Sequence, residues 1–177
     1  MKSEDKSNDP RKAAPLMSWD IFMEGYNNLM NLAADREAIV KLARQRQWEH
    51  SFNFEDQLFV FRNTILVLDP DKTVTYASSG ILAISGYEPC EVTNKKLPDF
   101  PNHRASALAT AYLKKSIENC EPFGVSLTNF TKTGKDYECR VKGYPVWDKK
   151  GQFKNFLLSA SKISQGPFEG FANQIKL

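Results

Sequence analysis

The sequence predicts an α+β domain with a five-stranded antiparallel sheet, short helices on one face and a helical extension ahead of it. Three observations support this fold class. Apolar residues recur at helical spacing between residues 18 and 50, and again between residues 103 and 119. Five segments after residue 57 have the apolar or alternating pattern of strands. Turn sequences join strands that are neighbours in the chain, as in antiparallel hairpins.

The composition is that of an ordinary globular domain with extensions. The chain has 177 residues, 41% hydrophobic and 25% charged, and its net charge of +3 is too small to indicate direct nucleic-acid binding. No apolar run approaches the roughly 18 residues of a membrane span, and the polar N-terminus does not resemble a signal peptide. We therefore expect an intracellular protein, cytoplasmic or nuclear, with no membrane contact. The three cysteines are irregularly spaced and predict neither disulfides nor a metal site.

Residues 1–17 are charged and polar, and are predicted to be a disordered tail. Residues 18–55 are predicted to form a helical extension that caps the domain or mediates dimerisation. Ser18 suits the N-cap position, and two apolar sets follow it at helical spacing. The sets join at Ala34-Asp35, so the pattern fits either one helix or two. Trp48 and the aromatic residues after it predict a hydrophobic joint to the domain.

The sequence pattern predicts that the first part of the domain is a hairpin followed by helices. Thr64–Leu68 and Thr73–Ala77 are strand patterns separated by the turn sequence Asp-Pro-Asp-Lys. A short helix is predicted over Ser79–Ser85, where Gly86 ends it, and a longer helix over His103–Asn119.

The sequence pattern predicts that the last part of the domain is a three-strand meander. Its strands are predicted at residues 123–131, 136–146 and 152–163. The two connections contain Gly134 and Gly151, which suit left-handed turn positions. A tail, residues 164–177, follows the domain.

The last strand is apolar on both faces, so both faces need cover. Alternation places Phe156 and Leu158 on one face, and Phe153, Leu157 and Ile163 on the other. Either the helical extension or a second copy of the protein would cover the outer face. We therefore predict a homodimer, or a complex with a partner protein, through the sheet face and the N-terminal helix. The predicted interface residues are Phe22, Leu29, Ile39, Leu42, Leu157 and Ile163.

Four segments in this order resemble the PAS fold, and within it the flavin-binding LOV branch. They are Val74-Thr-Tyr-Ala-Ser78, Gly86-Tyr87, residues 127–134 and Pro145-Val-Trp-Asp-Lys-Lys-Gly151. The resemblance covers about residues 59–163, and predicts a PAS/LOV-like domain over residues 56–163. It is nearest to the LOV domains of aureochrome-type and short fungal photoreceptors.

The resemblance also shows what this chain lacks. LOV proteins hold a flavin whose light-driven adduct forms with a cysteine in a G-x-N-C-R-F-L-Q motif. The aligned stretch here is Asn94-Lys-Lys-Leu-Pro-Asp-Phe-Pro101, so Leu97 replaces that cysteine. Because leucine has no thiol, we expect no cysteinyl-flavin photochemistry.

The resemblance further implies two asparagines and a glutamine that bond the flavin ring. Asn129 matches the first, but the other positions hold Cys139 and Ala160. We therefore expect no bound cofactor, with FMN or FAD as the alternative. Asn129 either bonds neighbouring backbone or water, or retains a ligand contact. The predicted pocket residues are Leu97, Phe100, Asn129, Cys139, Leu158 and Ala160.

No catalytic or metal-binding motif is present, and His50 and His103 lie far apart in the sequence. We therefore predict a non-catalytic PAS sensory or regulatory module that acts by protein–protein interaction or dimerisation. Two alternatives remain open. The domain could sense a small apolar ligand, or it could bind flavin and signal by flavin reduction.

Overall fold

The computed structural model describes residues 18–49, 63–96, 103–104 and 107–163. The predicted disordered tail, the C-terminal tail, Leu97 and Phe100 all lie outside these residues. Helix α1, Ser18–Gln45, is a single helix of 28 residues, which settles the choice between one helix and two. None of the described helices is long and apolar enough to cross a lipid bilayer.

The predicted antiparallel sheet is confirmed, with one short strand added at its edge. Its strands are β1 (Thr64–Leu68), β2 (Val74–Ala77), β3 (His103–Arg104), β4 (Phe123–Phe130), β5 (Asp136–Trp147) and β6 (Phe153–Lys162). The spatial order is β2-β1-β6-β5-β4-β3, and every pair is antiparallel. Gly134 (φ 84°) and Gly151 (φ 74°) take the predicted left-handed conformation in the turns before and after β5.

Three helices follow the first hairpin and precede β4. Helices α2 (Gly80–Ser85), α3 (Pro89–Val92) and α4 (Ala107–Glu118) lie between β2 and β4 in the chain. The predicted helix over His103–Asn119 starts four residues too early. His103 and Arg104 instead pair with Asn129 and Thr128 as strand β3. This pairing supplies hydrogen-bond partners to backbone groups of β4, which would otherwise lie unpaired at the edge of the sheet.

The sheet carries a core on each face. The inner core lies between the sheet and helices α2–α4, and includes Leu66, Ile84, Val92, Phe123 and Leu158. The outer core lies between the sheet and the C-terminal half of α1. It comprises Ile39, Ala43, Trp48, Ile65, Val67, Val146 and Leu157. The helical extension therefore covers the outer face, which is one of the two covers that the sequence left open.

One residue of β6 faces the other way from the prediction. Phe153 was expected beside Leu157, but it packs in the inner core, with its ring centroid 5.4 Å from that of Phe156. The register explains the difference, because Val146 pairs with Asn155 and Trp147 with Phe153. Lys154 is therefore an extra residue in a β-bulge, which breaks the strict alternation of faces.

Polar contacts fix the end of α1 to the sheet. Trp48 is fully buried and donates from its indole Nε1 to Asn155 Oδ1 at 2.9 Å. Asn155 Nδ2 donates to Asp69 Oδ1 at 3.0 Å, and Arg46 pairs with the same carboxylate oxygen at 2.5 Å. Trp48 thus forms one part of the predicted joint between helix and domain, and its other residues, Phe52 and Phe54, lie outside the described residues.

Candidate functional site

A cavity of about 140 Å³ lies between the inner face of the sheet and the short helices. Strands β1, β4, β5 and β6 form its floor. Helices α2, α3 and α4 contribute Ile81, Ile84, Ser85, Val92 and Leu113, and Tyr87 follows α2. The floor residues are Thr64, Leu66, Leu127, Asn129, Phe130, Tyr137, Cys139, Val141, Leu158 and Ala160.

Four of the six predicted pocket residues line this cavity: Asn129, Cys139, Leu158 and Ala160. The other two, Leu97 and Phe100, fall outside the described residues. The prediction omitted Thr64, Ser85 and Tyr137, which also line it. Tyr137 could have been found, because it alternates with Glu138 and shares the core-facing side of β5 with Cys139. Thr64 gave no such signal, since β1 is buried throughout.

The polar groups on β4 and β5 are engaged with one another. The Asn129 side chain interacts with the Tyr137 hydroxyl and the Cys139 thiol. Burial raises the pKa of Tyr137 to about 12 and that of Cys139 to about 11. Both groups are therefore protonated and neutral at physiological pH. Both interpretations of Asn129, an internal partner or a ligand contact, remain predictions.

Ser85 is satisfied within its own helix and loop. Its hydroxyl donates to the Ile81 carbonyl at 2.7 Å and accepts from the Tyr87 amide at 3.3 Å. Although Ser85 lines the cavity, its hydroxyl therefore already has hydrogen-bond partners within the protein.

The Thr64 hydroxyl differs from the Ser85 hydroxyl. Thr64 is fully buried, and its Oγ1 has no hydrogen-bond partner within the described structure. Leaving a buried hydroxyl unpaired costs roughly 1–3 kcal/mol. A native structure that keeps such a group calls for a physical explanation.

The cavity is also electrically neutral. Among its described lining residues there is no aspartate, glutamate, lysine, arginine or histidine. No group of three or more potential metal ligands occurs in the described parts of the chain. The site can therefore accept an uncharged, largely apolar molecule without leaving a buried charge unpaired.

The predicted interface residues fall into two groups. Ile39 and Leu157 are fully buried in the outer core, and Leu42 packs against it. Contact of these residues with a second copy would require α1 to leave the sheet. Leu29, by contrast, is 62% exposed, and Ile163 is half-buried. The side chain of Phe22 is outside the described structure.

Comparison with known proteins identifies relatives of this chain. A family model for the PAS domain matches residues 62–164. A blue-light-activated histidine kinase of Brucella ovis is 24% identical over 95 residues. That alignment covers 54% of this chain but only 19% of the kinase.

Solved LOV structures share the fold. The light-state structure of the Aureochrome1 LOV domain superposes with a TM-score of 0.53 at 22% identity, over 58% of this chain and 82% of that one. The light-state dimer of the fungal blue-light photoreceptor Vivid gives a TM-score of 0.54 at 18% identity. That match covers 63% of this chain and 85% of Vivid.

Proposed function

Because this chain belongs to the PAS domain family, we propose that it is a non-catalytic sensory or regulatory module that signals by self-association through α1. In this proposal the domain works without cysteinyl-flavin photochemistry. The observation that carries the proposal is the position of α1, which is docked on the sheet by one half and presents apolar side chains on the other.

The docked half ends at the edge of the sheet. Ile39 and Ala43 pack against β1 and β6 in the outer core. One turn earlier, Asp35 contacts Tyr76 on β2, which is the edge strand. Before Asp35, the described residues of α1 include several exposed apolar side chains.

The N-terminal half of α1 carries exposed apolar side chains. Leu29 is 62% exposed, Met30 53% and Tyr26 49%. Met30 precedes Ile39 by nine residues, about two and a half helical turns, so it faces away from the docked side. Exposed apolar residues at adjacent helical positions are typical of helix–helix contacts. We take a second copy of this chain as the occupant, and the dimeric arrangement of Vivid supports this choice.

Sedimentation of the full chain tests the proposal. We expect a concentration-dependent dimer that the double substitution Leu29→Glu/Met30→Glu weakens at least tenfold, because two charges would be buried in the contact. The matched control is Asn28→Glu/Asn31→Glu, which adds the same charge at two other exposed positions of α1. A wild-type chain that stays monomeric at high concentration would sink the proposal.

The cavity chemistry supports the absence of the photochemical adduct. Cys139 is the cysteine among the described residues that line the cavity. It lies buried on the sheet, and its raised pKa keeps its side chain in the protonated thiol form. The position that aligns with the reactive cysteine holds Leu97. This chain therefore has no thiol at the position where LOV proteins form their light-driven bond with flavin.

Flavin itself also fits poorly. Drug-sized ligands occupy pockets of about 300–1,000 Å³, whereas this cavity has about 140 Å³. Asn129, the one amide at the three ring-bonding positions, already interacts with Tyr137 and Cys139. We propose that the chain binds neither FMN nor FAD. A colourless preparation that does not quench added FMN fluorescence is expected, and a yellow protein would instead favour signalling by flavin reduction.

The neutral cavity favours a second candidate function. A small apolar ligand could occupy it, and the domain would then report that ligand. Helix α2 lines the cavity and its preceding residue Ser79 is bonded to α1 through Asp35, so ligand site and helix are physically connected.

A further inference from the structure

We propose that an exposed stripe of α1 docks on an exposed stripe of α4 in a second copy of this chain, and that each copy makes this contact with the other. The inference rests on the proposed self-association through α1, and it names the surface that receives the helix. The α1 stripe consists of Tyr26, Leu29, Met30, Ala33 and Glu37, and the α4 stripe of Leu108, Ala111, Tyr112 and Lys115.

The α4 stripe is an apolar surface that faces solvent. Leu108 is 81% exposed and Tyr112 47%. Ala111 and Lys115 are also exposed, and their spacing places all four residues on one face of the helix. The opposite face carries Leu113 and Ile117, which pack against the inner core. Helix α4 is therefore apolar on both sides, and its outer side is available to a partner.

The two stripes match in length and shape. Residues 26–33 and residues 108–115 each advance seven positions, about 10 Å along a helix axis. Each stripe places one alanine, Ala33 or Ala111, among larger side chains. A small residue leaves a groove into which a large side chain of the facing helix can pack.

The charges favour α4 over a second α1 as the receiving surface. From Ser18 to Asp35, α1 contains acidic residues but neither lysine nor arginine, and its stripe ends in Glu37. Two α1 helices in contact would bring like charges together. Helix α4 instead has exposed lysines at positions 114 and 115. A parallel alignment of the stripes places Glu37 within one helical turn of Lys115, so that opposite charges meet.

The contact has to form between copies. Helix α1 lies against the outer core and α4 against the inner core, so the sheet separates them. Leu29 and Leu108 are both exposed within one copy, so the two stripes do not cover each other there. If each copy inserts its own α1 and receives that of its partner, the two contacts are related by a two-fold axis. Such an assembly closes as a dimer.

Sedimentation of full-length variants tests the α4 surface. We expect Leu108→Glu to weaken the dimer at least about tenfold, because a charge would be buried in the contact. Tyr112→Glu should give the same loss. The matched control is Leu82→Glu, since Leu82 is an exposed leucine on α2, and it should leave the dimer unchanged. Equal dissociation constants for wild type and Leu108→Glu overturn the inference, as does an equal loss in Leu82→Glu.

Mixing two variants tests which helix receives α1. Leu29→Glu/Met30→Glu damages the docking helix, and Leu108→Glu damages the receiving one. In a mixed dimer, one of the two contacts has both of its surfaces intact. The mixture should therefore associate more tightly than either variant alone, measured by sedimentation with one variant labelled. If α1 instead packs against α1, mixing restores nothing, and that result overturns the inference.

The same measurements separate this inference from the function on which it rests. A wild-type dimer that Leu29→Glu/Met30→Glu weakens and Leu108→Glu does not refutes the α4 contact alone. A wild-type chain that remains monomeric refutes self-association, and the α4 contact with it. Circular dichroism of each variant shows whether a lost dimer comes from lost folding, and every substituted side chain is exposed in the single copy.

Discussion

Gly143 on β5 illustrates how one residue fixes local packing in the inner core. It pairs directly with Phe123 of β4, and the Phe123 ring lies over its Cα. A Cβ at this position would overlap ring atoms Cε1 and Cζ. The ring cannot move freely, because Phe123 is buried and its centroid is 6.0 Å from that of Phe156. Gly143→Ala should therefore lower the free energy of unfolding by about 1–3 kcal/mol, measured by urea denaturation.

The same strand pair offers a matched control. Gly124 neighbours Phe123 on β4, and a Cβ added there meets no atom within 4 Å in the described structure. Gly124→Ala should leave stability unchanged or raise it slightly, because alanine restricts the unfolded chain. If both substitutions cost the same, the contact with Phe123 is not the cause.

At the scale of elements, Asp35 connects α1 to β2 and α2. Its carboxylate accepts from the Tyr76 hydroxyl at 2.5 Å, the Ser79 hydroxyl at 2.7 Å and the Ser79 amide at 3.1 Å. Burial, and then Asp35, raise the pKa of Tyr76, so that the phenol remains a donor. Asp35→Ala removes the shared acceptor of all three bonds. We expect a loss of about 1.5–3 kcal/mol and faster amide exchange at Ser79 and along α1.

Glu37 provides the control for this prediction, because it is an exposed acidic residue on the same helix. Glu37→Ala removes the same charge and should change stability by less than about 0.5 kcal/mol. Ser79→Ala removes one of the three bonds and should fall between the two. If Asp35→Ala leaves exchange along α1 at the wild-type rate, Asp35 does not hold the helix.

At the scale of the molecule, α1 is part of the domain's folded core rather than an appendage. Ile65, Val67 and Leu157 are fully or almost fully buried under α1, and together would form an apolar patch without it. A chain that begins at Phe54 should therefore aggregate, or bind a hydrophobic dye such as ANS, where the full chain does neither. A soluble, dye-negative truncated chain would show that the outer face needs no cover.

The sequence predicted most of the fold because the information is local. Alternation and turn residues gave the five long strands within one or two residues, and the motif resemblance to PAS and LOV domains is confirmed by the family match and the structural neighbours. The start of α4 was wrong because β3 forms only by pairing with a distant strand. The orientation of Phe153 was wrong because a bulge has no signature in hydrophobic periodicity.

The candidate site was predicted in part. Asn129, Cys139 and Ala160 were named because the resemblance aligns them with the ring-bonding positions of LOV proteins, and Leu158 shares a face of its strand with Phe156; all four line the cavity. Thr64 was missed, because a strand that is buried on both faces gives no alternation to read.

By itself, the sequence determined the class of fold, the inward side of β5, and the absence of a thiol at position 97. These features depend on residue identity and on neighbours along the chain. Only the tertiary structure decided that α1 covers the sheet with one half and leaves Leu29 and Met30 exposed on the other. It also decided that the hydroxyl oxygen of Thr64 is buried without a hydrogen-bond partner in the described structure. Both depend on which distant segments meet, because burial and hydrogen-bond satisfaction are properties of the packed chain.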